Sequence, residues 1–387
     1  MTLLQSASET TVYDELSRLH DGPRVLFNPP DEGAPMSWGG SWRLTRAEDI
    51  RFVLQSPDLF SSRNIAGFSR LVGQEWDLIP LEKDPPEHAR YRAIMNGVFA
   101  PAKITAMEAG VRARAVALIE SFVDDGGCEF VEAFGRPFPV SIFMQLMGLP
   151  EADTDKVNAW EYGLLHSGEM QARVVAARGF YDYLRDLIAL RRKEPADDLT
   201  TFCINAEVDG RPTTDDEIMG MCYLLVVAGL DTVAASLSLH FRHLALFPQD
   251  QARLRADPSL IPSAVEELLR AYAIVTTNRW VTQNVEIGGV QMKAGDRVIC
   301  STALACLDPA EFDNPMHVDI ERSPNRHVAF SYGPHRCIGS HLARRELIIA
   351  MEEFLKRVPP FRLADGASGA INPAGLYSAP HLPLVWS

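Results

Sequence analysis

The chain has 387 residues, 47% of them hydrophobic and 23% charged, a balance that excludes a disordered chain, a collagen and a fibre. With 51 Asp+Glu against 37 Lys+Arg the formal net charge is −14, which argues against general binding of nucleic acid or of an anionic membrane. The six cysteines include no CxxC pair, the pattern of reduced thiols in a cytoplasmic protein rather than of a disulfide framework.

The first twenty residues have no cationic start and no long apolar stretch, so no secretory signal is expected. Residues 22–40, rich in Pro and Gly, read as an extended entry segment. A short helical pattern covers 45–60, and an irregular stretch runs on to 86. Apolar residues recurring every three or four positions predict helices near 87–99, 101–124, 137–147, 151–166 and 170–194; in the last, Phe180, Leu184, Leu187 and Leu190 share a face. The longest predicted helix spans 215–247, opening on a Thr214/Glu217 capping box and stopping before Pro248. At 1.5 Å per residue it is roughly 50 Å long, and its apolar middle marks it as a buried central helix. The longest unbroken apolar run, near 224–230, is far short of the roughly 20 residues of a membrane span, so none is expected. A second capped helix is predicted from Ser263, with Glu266 three residues on. Alternation over 281–300, with turns at Gly288–Gly289 and Ala294–Gly295, predicts short antiparallel strands. The expected fold is mainly α with small antiparallel β-sheets. It forms one domain over 1–387, with β-richer parts at about 25–80 and 281–387 around a helical body.

Three features carry chemistry. In FSYGPHRCIGSHLARREL (330–347), glycines frame Cys337 in a tight loop just ahead of a helix, where free amide N–H groups and the helix dipole favour thiolate. Other uses stay open at this level. The thiol could be a small buried hydrophobe, a zinc ligand beside His335 and His341, or a nucleophile served by a distant His. Glu267 and Arg270 stand at helical i,i+3 spacing, which alone is an ordinary ion pair. Asp231, inside the apolar stretch Ala228-Gly229-Leu230-Asp231-Thr232, needs a polar partner, and Thr232 could bond back to a carbonyl one turn earlier.

The phrase F-x-x-G-x-H-x-C-x-G, filled by Phe330, Gly333, His335, Cys337 and Gly339, resembles the haem-binding loop of the cytochrome P-450 family of haem-thiolate monooxygenases. The resemblance runs from about Phe27 to Trp386 and is closest to the bacterial camphor 5-monooxygenase subgroup. It implies haem b (iron protoporphyrin IX) between the long central helix and the Cys-loop helix, with Cys337 as the metal ligand. His88, Arg92, Arg279 and His335 match the family's haem-propionate partners. Glu267 and Arg270 match a structural pair that locks to a third arginine, either Arg322 or Arg326, and Arg326 or His327 sits where the family usually has one. Asp231 and Thr232 resemble the oxygen-activation groove. There the small residue and Gly229 leave room for dioxygen, Thr232 holds a water or the oxygen, and Asp231 relays protons.

The resemblance also implies hydroxylation of a small hydrophobic, terpenoid-like substrate. Dioxygen is the co-substrate, and electrons come from a two-iron ferredoxin served by a flavin-dependent reductase using NADH or NADPH. A peroxide-driven peroxygenase and a non-catalytic haem-based sensor are the alternatives. Trp76, Leu224, Val227, Ala228, Val275 and Thr276 are the expected pocket residues. Two departures stand out. Trp76 in WDLIP replaces the subgroup's camphor-gripping tyrosine, which predicts selection by shape, and Thr277-Asn278 replaces an acidic residue before Arg279.

Overall fold

The protein is described here by a computed structural model over residues 11–30, 39–373 and 375–387. The first ten residues, half of the stretch tested for a signal, and residues 31–38 of the entry segment lie outside that description. Helices dominate. The predicted ones fall at Ala47–Gln55, Glu87–Asn96, Pro101–Glu120, Pro137–Met147, Thr154–Leu165 and Met170–Lys193. In the last, Phe180, Leu184 and Leu187 are buried as expected, but Leu190 is exposed, one residue before the basic final turn. The sequence reading missed Val12–Arg18, Leu199–Ile204, Pro248–Ala256 and Thr302–Cys306. Three of these are under eight residues, too short for a periodic signal to stand out.

The central helix departs most from expectation. It is two helices, Asp215–Gly229 and Thr232–Leu246, interrupted at Leu230-Asp231. The Thr214/Glu217 capping box opens the first half as predicted. By length and composition the stretch Asp215–Leu246 could cross a membrane, contrary to the reading from the unbroken apolar run, but 67% of its apolar window is buried inside the fold. The interruption falls between two hydrophobic cores. Ile218, Tyr223 and Val226 of the first half pack with Trp76 and Phe180. Leu237, Phe241 and Leu244 of the second pack with Phe130 and Phe354.

The helix predicted from Ser263 starts earlier, at Ile261, and Ser263 is no cap: its hydroxyl donates to the Leu260 and Ile320 carbonyls. Strands Val25–Asn28, Ser41–Leu44, Arg297–Ser301, Thr276–Val281 and Phe60–Ser61 form a five-stranded sheet in that spatial order. One ladder corrects the antiparallel expectation, since Arg297–Ser301 lies parallel to Ser41–Leu44 with Val298 opposite Trp42. Partners so distant in sequence are not tied by a hairpin, which is what forces antiparallel pairing. The Gly288–Gly289 turn joins Val285–Ile287 to Val290–Met292 as predicted.

Candidate active site

Cys337 sits between the single 3-10 turn Gly333–His335 and the helix Ser340–Arg357. Its N–H donates to the Phe330 carbonyl (2.8 Å), which closes the loop. Gly333 is required there: its φ is +70°, and a Cβ would stand 2.4 Å from the Leu54 carbonyl oxygen. Cys337 keeps solvent access although protein atoms crowd round its thiol. The thiolate expected from the helix N-terminus is not what the loop alone produces. Burial pushes the Cys337 thiol up, and the Gly339 N–H, Arg92, Arg336 and Arg344 offset this only in part. A metal's charge is what would deprotonate it. The zinc alternative fails. Nε2 of His335 lies 3.1 Å from the Ser62 hydroxyl, and among the described residues Cys337 belongs to no group of three potential metal ligands.

Around this loop the four predicted propionate partners converge. The His88 and His335 rings stand 4.2 Å apart, and the shifts of both reflect Arg92 and Arg279 nearby. Burial first, then these arginines, lowers His88 to about 4 and His335 to about 2, so both imidazoles are neutral near pH 7. Nε2 of His88 is buried without a partner. Arg279 donates to the Thr277 hydroxyl (3.2 Å) and the Asn278 carbonyl (2.7 Å), the two residues that replace the subgroup's acid. Among the described residues neither Arg92 nor Arg279 pairs with a carboxylate, and the nearby Asp84 is taken by Ser61 and Ser62.

The Glu267–Arg270 pair is wholly buried, with two 2.8 Å contacts. Its third member is Arg322, whose Nε lies 3.1 Å from both Glu267 oxygens, joined by Asn325 and the Asp319 N–H. Arg270 ties this cluster to the Cys306, Pro315 and His317 carbonyls. Arg326 is excluded: its side chain is exposed. His327 instead meets Glu266, which Arg344 also grips while stacking 4.4 Å over the Phe330 ring. Burial would raise Glu266, but His327 and Arg344 hold it down to about 2.

At the break in the central helix the Thr232 hydroxyl donates to the Ala228 carbonyl (3.1 Å), the back-bond that the sequence offered as its ordinary role. Asp231 finds its polar partner in His166, whose Nε2 lies 2.8 Å from Oδ2. Gly229 does not make room for a ligand. A Cβ there would stand 2.3 Å from the Phe143 ring, so its smallness serves helix packing. Leu224, Val227, Ala228 and Thr232 form a stripe only partly covered, with Ala228 exposed, in a stretch whose other residues are mostly buried. Val275 is half-buried and Thr276 exposed. Trp76 is buried, its ring 4.7 Å from Tyr223 and stacked 6.4 Å from Tyr181, and its N–H is enclosed without an acceptor.

The general pattern of the family described as cytochrome P-450 matches residues 164–363. A probable cytochrome P-450 127A1 of Sinorhizobium fredii (strain NBRC 101917 / NGR234) is 38% identical over 368 residues, 95% of this chain and 88% of that protein. This chain belongs to the cytochrome P-450 family. The crystal structure of cytochrome P-450 CYP101C1 is similar with a TM-score of 0.86 at 33% identity, covering 97% of this chain and 93% of its own. Mycobacterium marinum cytochrome P-450 CYP268A2, solved in complex with pseudoionone, gives 0.87 at 29% identity, with 97% and 94% covered. The fold is therefore the P-450 fold, the activity is that of a monooxygenase incorporating molecular oxygen, and the cofactor is haem b held through a cysteine thiolate.

The residues present fit that cofactor. A dianionic ligand needs cations and donors, and Arg92, Arg279 and the orphaned His88 Nε2 gather where no carboxylate satisfies them. A metal ligand needs an accessible sulfur, and Cys337 is the one exposed cysteine of the six. Sequence reasoning missed His166 altogether, and no local signal marks it, because its link to Asp231 spans 65 positions. It also missed Glu346, a fully buried carboxyl in the helix after Cys337 that burial pushes up to about 8. The signal there was a lone acid on the apolar face of an amphipathic helix.

Proposed function

We propose that this P-450 works as one domain and a haem-thiolate monooxygenase, in which Cys337 would hold the iron and His88, Arg92, Arg279 and His335 would hold the propionates. Haem b, when bound, supplies the oxygen chemistry, and a thiolate ligand favours O–O cleavage. The protein's share is position and protons. Glu267, Arg270 and Arg322 brace the segment leading to the Cys loop. Asp231 takes protons inward through His166, and Thr232, whose proton is engaged by Ala228, keeps its oxygen lone pairs free to accept a hydrogen bond from a water at the oxygen site. The observation that carries this reading is the exposed Cys337, beside Arg92 and Arg279, which no carboxylate pairs among the described residues.

The substrate is a small apolar, terpenoid-like molecule lying against Trp76, Leu224, Val227, Ala228, Val275 and Thr276. Support comes from the partly covered stripe and from the neighbour solved with pseudoionone. Electrons come from a two-iron ferredoxin with a flavin-dependent reductase, and the setting is cytoplasmic, in keeping with six free thiols. Turnover with dioxygen, NADH and a surrogate ferredoxin pair tests the reading. Oxygenated product that requires all three supports it. Equal product from hydrogen peroxide alone, or tight ligand binding with no product under either regime, contradicts it.

The indole N–H of Trp76 is enclosed and finds no acceptor within the protein, and we propose that selection is mainly by outline. Burial gains about 25 cal/mol per Å² of apolar surface, against about 0.5–1.5 kcal/mol for one neutral hydrogen bond. A ketone and its deoxygenated analogue of matching outline are expected to bind within about tenfold, or about 1.4 kcal/mol, of each other. Trp76→Phe should leave that ratio unchanged. Spin-state titrations showing a ketone preference far beyond tenfold would point to a dedicated donor, with the exposed Thr276 first in line.

A further inference from the structure

Beside the helix break one imidazole faces two carboxylates. His166 caps the C-terminus of Thr154–Leu165, one turn after Glu161, and its Nε2 lies 2.8 Å from Asp231 Oδ2 and 3.4 Å from Glu161 Oε1. All three ligand atoms fall within 4.8 Å of one another. A single N–H on Nε2 can point at only one acceptor, and Asp231 takes it. Glu161, whose side chain is 6% exposed, is left with an Oε1 that accepts no hydrogen bond although it faces the ring nitrogen. Nitrogen and oxygen ligands held about 2.0–2.1 Å from a tetrahedral ion stand roughly 3.3 Å apart. The observed 2.8 and 3.4 Å separations bracket that value. A metal ion can therefore satisfy all three groups where a proton satisfies two.

We propose that Glu161, His166 and Asp231 form a binding site for one divalent transition-metal ion of the zinc type, and that filling it holds Asp231 and halts turnover. The ion takes the Nε2 lone pair and one oxygen from each carboxylate, water completes the shell, and the displaced Nε2 proton goes to the buffer. A divalent ion brings the positive charge that two buried carboxylates facing one imidazole call for. One imidazole with two carboxylates suits zinc over the hard ions magnesium and calcium, which prefer all-oxygen shells. The other groups facing the cluster are few. Arg136 acts on Glu161, the Tyr162 ring stacks on His166 at 5.4 Å, and Arg173 is engaged by the Ser167 carbonyl. The ion takes the place of the Nε2 proton, so ion and proton exclude each other at this nitrogen. Only the effect on turnover rests on the monooxygenase reading.

Calorimetric titration of zinc chloride into chelator-washed, haem-loaded protein tests the site, run in two buffers of different ionisation enthalpy. One equivalent should bind, with protons released to the buffer. His166→Ala should weaken binding at least about hundredfold and Glu161→Gln at least about tenfold, since even outer-shell partners of a metal are worth 10–100-fold. An intact haem spectrum in each variant guards against misfolding. In the unaltered protein, saturating zinc should suppress product formation and a chelator should restore it. Absence of stoichiometric binding, or equal binding in both variants, overturns the site. Undiminished turnover at saturation overturns the brake. If the monooxygenase reading itself fails, product is missing without zinc while the calorimetric result stands.

Discussion

Glu267→Gln is expected to leave little folded, haem-loaded protein. Glu267 is fully buried and receives Arg270, Arg322, Asn325 and the Asp319 N–H at once. The amide keeps the shape but loses the charge and replaces an acceptor with a donor aimed at arginine. Removing one partner of a buried pair costs about 3–5 kcal/mol, a large fraction of the roughly 5–15 kcal/mol by which a domain is stable. Arg322→Leu should be damaging in the same direction, because it strips one of two cations from the same carboxylate. Arg326→Ala, on an exposed side chain outside the network, should stay within about 0.5 kcal/mol of the unaltered protein. Thermal unfolding and haem content across the three variants check this. Equal losses at Arg322 and Arg326 would remove the assignment of the third member.

Asp231→Asn is expected to slow turnover about a hundredfold or more while substrate still binds. The amide oxygen can still meet His166 at the 2.8 Å contact, so the break in the central helix keeps its geometry. What disappears is the ionisable group, and general acid–base roles are typically worth 10²–10⁴-fold. Thr232→Ala should fail differently. It removes the hydroxyl donated to Ala228, leaves the pocket outline nearly intact, and should divert reducing power to free hydrogen peroxide. Product and peroxide formed per NADH consumed separate the two variants. An unaltered rate for the first, or unaltered product yield for the second, would take that residue out of the mechanism.

Much of the site was legible because it is written in short stretches. The Cys337 loop, the His88/Arg92 helical turn and the Glu267/Arg270 turn each lie within ten residues, and His88, Arg92, Arg279 and His335 come together around the loop. What stayed hidden depends on pairing across the chain. Choosing Arg322 over Arg326 needed the path of the segment after Pro315, because both side chains are equally near in sequence. His166 was invisible although Asp231 announced that it needed a partner, since polarity at one end of a contact says nothing of the residue at the other. The helix break carries no proline. It falls where the Thr232 hydroxyl bonds the Ala228 carbonyl and Asp231 turns to His166 inside an apolar run, a weak local signal against strong periodicity. Gly229 was read from the wrong side, because the Phe143 ring that needs its space comes from another helix.

The account stands or falls on the sulfur of Cys337. Carbon monoxide added to freshly reduced, intact protein should give the strongly red-shifted Soret band of a thiolate-ligated haem, and Cys337→His should abolish that band. A spectrum like that of a histidine-ligated globin in the unaltered protein would contradict the account at its centre.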